Sequence, residues 1–359
     1  LLKQEYNMNF DLLKAICEAP GIPSREEVVR GVIQDAMTPL VDSIQVDTMG
    51  NVIGHKKGSG NGPKVLIAAH MDEIGFIVRH IDDKGFIRVQ PLGGFDARVL
   101  VAQRVLVHGF AGETLRGVLQ PSIRPAHLLS DAERGKPVSL EDLFIDLGLA
   151  AAEVRSKVEL GDPITMDRTC ERIGNRVISK SLDDRLLVYV MLEALRHLGH
   201  HECDIHAVAT VQEEIGLRGA TPAAYAINPD IAIALDITIA GDIPGGSLDA
   251  QITQLGAGTA IKMMDASLVC HPKLVRHFRD VAEQHNIKYQ LEILGRGGTD
   301  AGGMQRVRGG IPSFTLSVPT RYVHTVNEMA DVDDINASVQ VLARWLEVCH
   351  TRSYGYGDA

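Results

Sequence analysis

Cysteine is sparse and unpatterned in this chain: Cys17, Cys170, Cys203, Cys270 and Cys349 are odd in number, and none forms a Cys-x-x-Cys pair. This argues against both a disulfide framework and a thiolate zinc knot, so a reducing, cytoplasmic compartment is expected. Basic charge is in deficit. The formal net charge is −10, whereas phosphate binding needs a basic surface, so nucleic acid is not the expected partner. No apolar run approaches the roughly 20 residues that span a bilayer, and no membrane partner is expected. Repeats, charge blocks and low-complexity stretches are absent. The glycine-rich segment Gly295-Arg296-Gly297-Gly298-Thr299-Asp300 lacks the Lys-Ser/Thr ending of a phosphate loop, which argues against nucleotide binding. The start, Leu1-Leu2-Lys3, has neither an initiating Met nor a signal-peptide pattern; Met8 is the candidate native start, with residues 1–7 foreign to it.

The 359 residues suffice for one large core plus an accessory domain. Apolar spacing predicts a helix over Asn9–Cys17, broken by Pro20-Gly21-Ile22-Pro23. Ser24 with Glu27 then reads as an N-cap and its acid, opening a second helix to Met37. Lys64–Ala69 is a short apolar strand running into His70. Beyond Phe76 the texture becomes β-like, with a hairpin turn at Asp83-Lys84-Gly85 and further β-like runs at Val99–Val107 and Thr114–Leu119. After Thr165 strands and helices alternate, and the tail from His350 is expected to be loose. The expected fold is α/β: a twisted mixed sheet flanked by helices, interrupted by a mainly β domain. The expected boundaries are 1–75 and 166–359 for the sheet domain, with 76–165 inserted.

Five metal-competent side chains stand far apart: His70, Asp183, Glu214, Asp236 and His324. Four of them follow or end predicted strands, and ligands of open α/β sheets bind beyond the carboxyl ends of the strands. Two imidazoles and three carboxylates are too few for two closed sites. They suffice for two divalent ions sharing a carboxylate, with positions left for water and substrate. Taken singly, each residue reads as a helix cap, a solvated turn or a surface histidine. Their coincidence reads as a hydrolase.

The segments Ala69-His70-Met71-Asp72-Glu73-Ile74-Gly75, Leu182-Asp183-Asp184-Arg185, Glu213-Glu214-Ile215-Gly216, Gly297-Gly298-Thr299-Asp300-Ala301-Gly302 and Arg321-Tyr322-Val323-His324 occur in this order. The set resembles the tetrahedral (TET) aminopeptidases, dinuclear zinc metallopeptidases related to the glutamyl and deblocking aminopeptidases. The resemblance implies that Asp183 bridges two metals, with His70 and Asp236 completing one site and Glu214 and His324 the other. It implies Glu213 as general base and Asp72 as the partner that fixes the His70 tautomer. Asp184 is expected to shape the backbone. The resemblance also implies dimers made partly through the inserted domain and assembled into a hollow dodecamer that admits short peptides.

The leading expectation is an intracellular aminopeptidase acting on short peptides, with zinc, cobalt or manganese compatible with the ligands. A deacylase or amidase acting on N-acyl amino acids keeps the same metals. A glycosidase normally uses two opposed carboxylic acids without metal. A non-catalytic assembly protein requires a lost ligand or base, and none is missing.

Overall fold

The computed structural model describes residues 8–124, 126–131, 136–245 and 251–357; the segment before Met8 lies outside them. Three strands open the chain: β1 (Ser43–Val46), β2 (Val52–Lys56) and β3 (Lys64–His70). Six follow in succession: β4 (Gly75–Ile81), β5 (Ile87–Leu92), β6 (Arg104–His108), β7 (Thr114–Pro121), β8 (Leu143–Asp146) and β9 (Pro163–Met166). The remainder are β10 (Glu171–Ile173), β11 (Arg176–Ser179), β12 (Asp204–Thr210), β13 (Ile231–Ile239), β14 (Thr259–Met264), β15 (Tyr289–Ile293), β16 (Ser313–Arg321) and β17 (Glu328–Asp331).

Eleven strands form one mixed sheet in the order β1-β2-β12-β3-β13-β16-β17-β11-β10, with β14 beside β16 and β15 beside β14. Its centre, β12-β3-β13-β16, is parallel. Val65 to Ala69 are wholly buried, the continuous apolar run that a strand covered on both faces requires. The helix Leu182–His197 is buried through Leu195 and packs on β3, β13 and the helix Val332–Val348. On the Val332–Val348 helix Trp345 stacks on Phe278 at 4.7 Å, and Phe278 on Phe314 at 4.3 Å. The chain passes from β3 to β12 on one side and later to β13 on the other. Such a reversal of strand order opens a crevice at the strand ends, and His70 sits there.

The strands β4-β5-β8-β7-β6-β9 close into a barrel, which leaves no unpaired edge. Its core is separate, built on Phe76, Ile87, Val105, Val107, Leu119 and Ile145. Gly85 takes φ +92°, the left-handed conformation that the β4–β5 turn needs, and the Asp82 carboxylate accepts the N–H groups of Lys84 and Phe86.

Four local expectations are corrected. Within Val99–Val107 the chain first makes a helical turn, Ala97–Leu100, capped by Asp96, and only then β6. Ser24 does not cap the second helix, which runs Glu27–Met37. Its backbone is left-handed at φ 69°, and its N–H goes to the Glu26 carboxylate at 2.8 Å. β13 does not end before Asp236 but runs on to Ile239, because β16 pairs with it past the end of β3. The tail is not loose throughout: Tyr354 is buried, its hydroxyl 2.6 Å from His277 Nδ1.

Candidate metal centre

Each element brings one group to the crevice. His70 is the last residue of β3; Glu213 and Glu214 follow β12 at the turn after Gln212, whose φ is +55°. Asp236 lies on β13 two residues past its last pairing with β3 and level with His70. Asp183 opens the buried helix, where Asp183 and Asp184 depart from helical geometry and their shared peptide is cis. His324 lies in the turn between β16 and β17 at φ +61°.

The five predicted groups converge. Asp183 reaches both imidazoles, with Oδ1 3.1 Å from His70 Nε2 and Oδ2 3.2 Å from His324 Nε2. His324 Nε2 is 3.5 Å from Glu214 Oε2, and His70 Nε2 is 3.9 Å from Glu213 Oε2. Donor atoms of His70, Asp183 and Glu214 lie within 4.8 Å of one another, as do those of His70, Asp184 and Asp236. Asp184 therefore faces the centre as well. Its Oδ2 accepts the His70 backbone N–H at 3.0 Å, and its Oδ1 has no partner among the described residues.

The expected role of Asp72 is corrected in detail. His70 Nδ1 meets the Asp72 backbone carbonyl at 3.1 Å, with the carboxylate farther off at 3.6 Å. A carbonyl only accepts, so Nδ1 carries a proton, and Nε2 is the nitrogen that faces the carboxylates of the centre. The Asp72 carboxylate instead accepts the backbone N–H groups of Glu213 at 3.0 Å and Glu214 at 3.2 Å. Asp72 thus holds the imidazole through its carbonyl and the two glutamates through its carboxylate.

Glu328 is the group that sequence reasoning missed. Buried, it accepts the Asp183 N–H at 3.0 Å with one oxygen and the His324 N–H at 2.8 Å with the other. Its only sequence signal is a position four residues after His324. Asp300, from the glycine-rich segment, accepts the Thr210 hydroxyl at 2.5 Å beside the end of β3. Beneath the centre, Arg185 donates to the carbonyls of Met71, Ile16 and Gly21 and to Glu73, which also receives Lys180 at 2.7 Å.

So many buried carboxylates cannot all ionise without cations. Burial, then neighbouring negative charge, lifts Asp184 and Asp236 well above the carboxylate range and Glu214 to about 8. Glu213 is lifted chiefly by burial. Burial also opposes the charge on Asp183, but hydrogen bonds from His324 and His70 hold it below its usual value. The same pairing outweighs burial at His324 and raises it to about 10. A cavity beside these groups runs between the two domains, with Phe95, Leu100 and Met166 on the barrel side and Asp183, Glu214 and His324 on the other.

The family model for the M42 glutamyl aminopeptidases matches residues 50–341. The chain is 37% identical to the lysyl aminopeptidase of Pyrococcus furiosus, over 95% of this chain and 97% of that protein. Its fold superposes on an aminopeptidase from the archaeon Desulfurococcus kamchatkensis with TM-score 0.90, at 40% identity and 94% coverage of each chain. On the Pyrococcus horikoshii TET1 peptidase, which can assemble into a tetrahedron or a large octahedral shell, the TM-score is 0.82 at 30% identity, covering 94% of this chain and 98% of that one. With the matched model spanning the whole crevice, the chain belongs to the M42 glutamyl aminopeptidase family and is a metal-dependent aminopeptidase.

Proposed function

We propose that the centre holds two divalent ions, zinc in the first instance, sharing Asp183. His70 and Asp236 complete one site, Glu214 and His324 the other, and the chain removes N-terminal residues from short peptides. One observation carries the reading: the two oxygens of a single carboxylate are seated one on each imidazole. The residues fit the ions. Glu214 Oε1 is buried without a partner among the described residues, and the carboxylates raise one another's proton affinity, a cost that bound cations remove. Asp184 is assigned to the backbone, where its Oδ2 takes the His70 N–H, although its Oδ1 also faces the centre.

When bound, the ions supply a water of lowered pKa and polarise the scissile carbonyl. Glu213, held by Asp72 through its backbone, takes the proton of the attacking water and delivers it to the leaving amine as the C–N bond breaks. Glu328 keeps Asp183 and His324 in register.

The TET1 relative, which can assemble into a tetrahedron or a large octahedral shell, supports a homo-oligomer, and a closed dodecamer is the form we propose. The barrel exposes Phe110, Ile123 and Leu160, apolar surface suited to contacts between copies. Light scattering on the purified chain tests assembly, and a fully active monomer refutes it. A panel of aminoacyl amides and N-acyl amino acids, assayed with and without chelator, tests the activity. Hydrolysis of the amides alone, abolished by chelator, is expected; hydrolysis of the N-acyl compounds alone replaces the reading with a deacylase.

A further inference from the structure

Away from the centre, the sheet carries a second group of metal-competent side chains. β2 and β12 run antiparallel, and His55 lies directly opposite His206. Their rings stack with centroids 4.5 Å apart and planes 12° from parallel. Asp204 precedes His206 by two residues, and the period of a strand places both on one face. Its Oδ1 is 2.7 Å from His55 Nε2 and its Oδ2 3.7 Å from His206 Nε2. One donor atom from each residue lies within 4.8 Å of the other two.

An ion shared by both imidazoles requires one ring to turn out of the stack, and the surroundings leave it donors to meet. His206 Nε2 is buried and makes no hydrogen bond among the described residues, although a carboxylate lies just beyond reach. Lys64 sits beside Asp204 in the register, but its ammonium donates to the Ile227 carbonyl at 3.1 Å. The three side chains retain 25%, 36% and 16% exposure, which leaves a path from solvent.

We infer that His55, Asp204 and His206 form a separate mononuclear site for a divalent transition-metal ion, which ties β2 to β12 near the edge of the sheet. Two imidazoles and one carboxylate suit zinc, copper or nickel, whereas magnesium and calcium prefer all-oxygen shells. Three protein ligands leave one position for water. The tie stabilises the antiparallel edge and takes no part in hydrolysis.

The test is a count of zinc per chain, by elemental analysis, on full-length protein stripped with chelator and re-equilibrated. Wild type is expected to hold one ion more than His55→Asn/His206→Asn, and zinc should raise the melting temperature of wild type further than that of the variant. Asp204→Asn, which keeps both rings, should bind the additional ion more weakly, while hydrolysis of an aminoacyl amide is unchanged in all three. The readout is a difference between variants, so it stands however many ions the main centre takes. Equal counts in wild type and the double variant overturn the inference, as does an Asp204→Asn protein that holds the additional ion as tightly as wild type.

Discussion

The sheet domain and the barrel solve the same packing problem with opposite treatment of charge. Among the described residues from Gly75 to Met166, the buried polar side chains are Asp162 and Thr165, and Asp162 spends its carboxylate on the N–H groups of Phe110 and Glu159. The sheet domain instead buries His70, Asp72, Glu73, Asp183, Asp184, Arg185 and more, clustered where β3, β12 and β13 end. Isolated buried charge is expensive and is retained only when paired, hydrogen-bonded or metal-bound. The comparison shows a division of labour: one region bears the electrostatic cost of a centre, and the other walls it with apolar surface.

The largest effect that sharpens this contrast is Glu213→Gln. The amide preserves shape but cannot accept the proton, so kcat should fall roughly 10²–10⁴-fold with metal content unchanged, read by steady-state kinetics beside elemental analysis. Loss of the ions in this variant, with retention in Glu214→Gln, would exchange the two roles.

A matched variant in the barrel probes the other side. Ile145 is wholly buried in the barrel core. Ile145→Ala should cost about 2–5 kcal/mol in urea unfolding through lost burial and the cavity left behind. Metal affinity should hardly move; a large loss would mean that the two cores are one energetic unit, and the contrast would fail.

How much of this could be read beforehand differed between the regions for a physical reason. The parallel strands were legible because Val65–Ala69, Ala207–Ala209 and Ile231–Leu235 are apolar throughout, and the groups at the crevice stand out against them. Asp236 was placed at a strand end because the run turns polar there; that β13 continues is decided by β16, which no local pattern shows. The helical turn Ala97–Leu100 was lost inside an apolar run too short to betray its period. Glu328 was invisible since its partners include Asp183, 145 residues away, and a glutamate in a polar turn carries no mark of what will fold onto it. Asp72 was recognised as important, but whether its carbonyl or its carboxylate meets His70 depends on backbone direction after the strand.

Glu328→Gln tests that hidden contact at intermediate size. Glutamine keeps one acceptor oxygen but turns an NH₂ towards the N–H of Asp183 or His324. Outer partners of ligands typically contribute 10–100-fold in metal affinity, and a loss of roughly that size is expected by competition with a chelator. An unchanged affinity would show that the buried helix alone holds Asp183.

The smallest expected effect lies in the sheet domain but far from the crevice, and asks whether buried titratable groups matter there too. His277 is buried between Trp345 and Tyr354, and burial lowers its pKa from 6.5 to about 4. Between those values the unfolded chain binds more protons than the folded one, so this residue makes stability rise with pH. Its contribution is complete above pH 6.5 and is lost progressively as the pH falls towards 4. His277→Gln cannot take up the proton and retains a polar end for the Tyr354 hydroxyl. The variant is expected to be less stable than wild type at pH 7, by lost packing, with the gap in melting temperature narrowing at pH 5. A gap that stays constant or widens in acid would mean that His277 is protonated in the folded chain, and that charge in this domain is accommodated well beyond the metal centre.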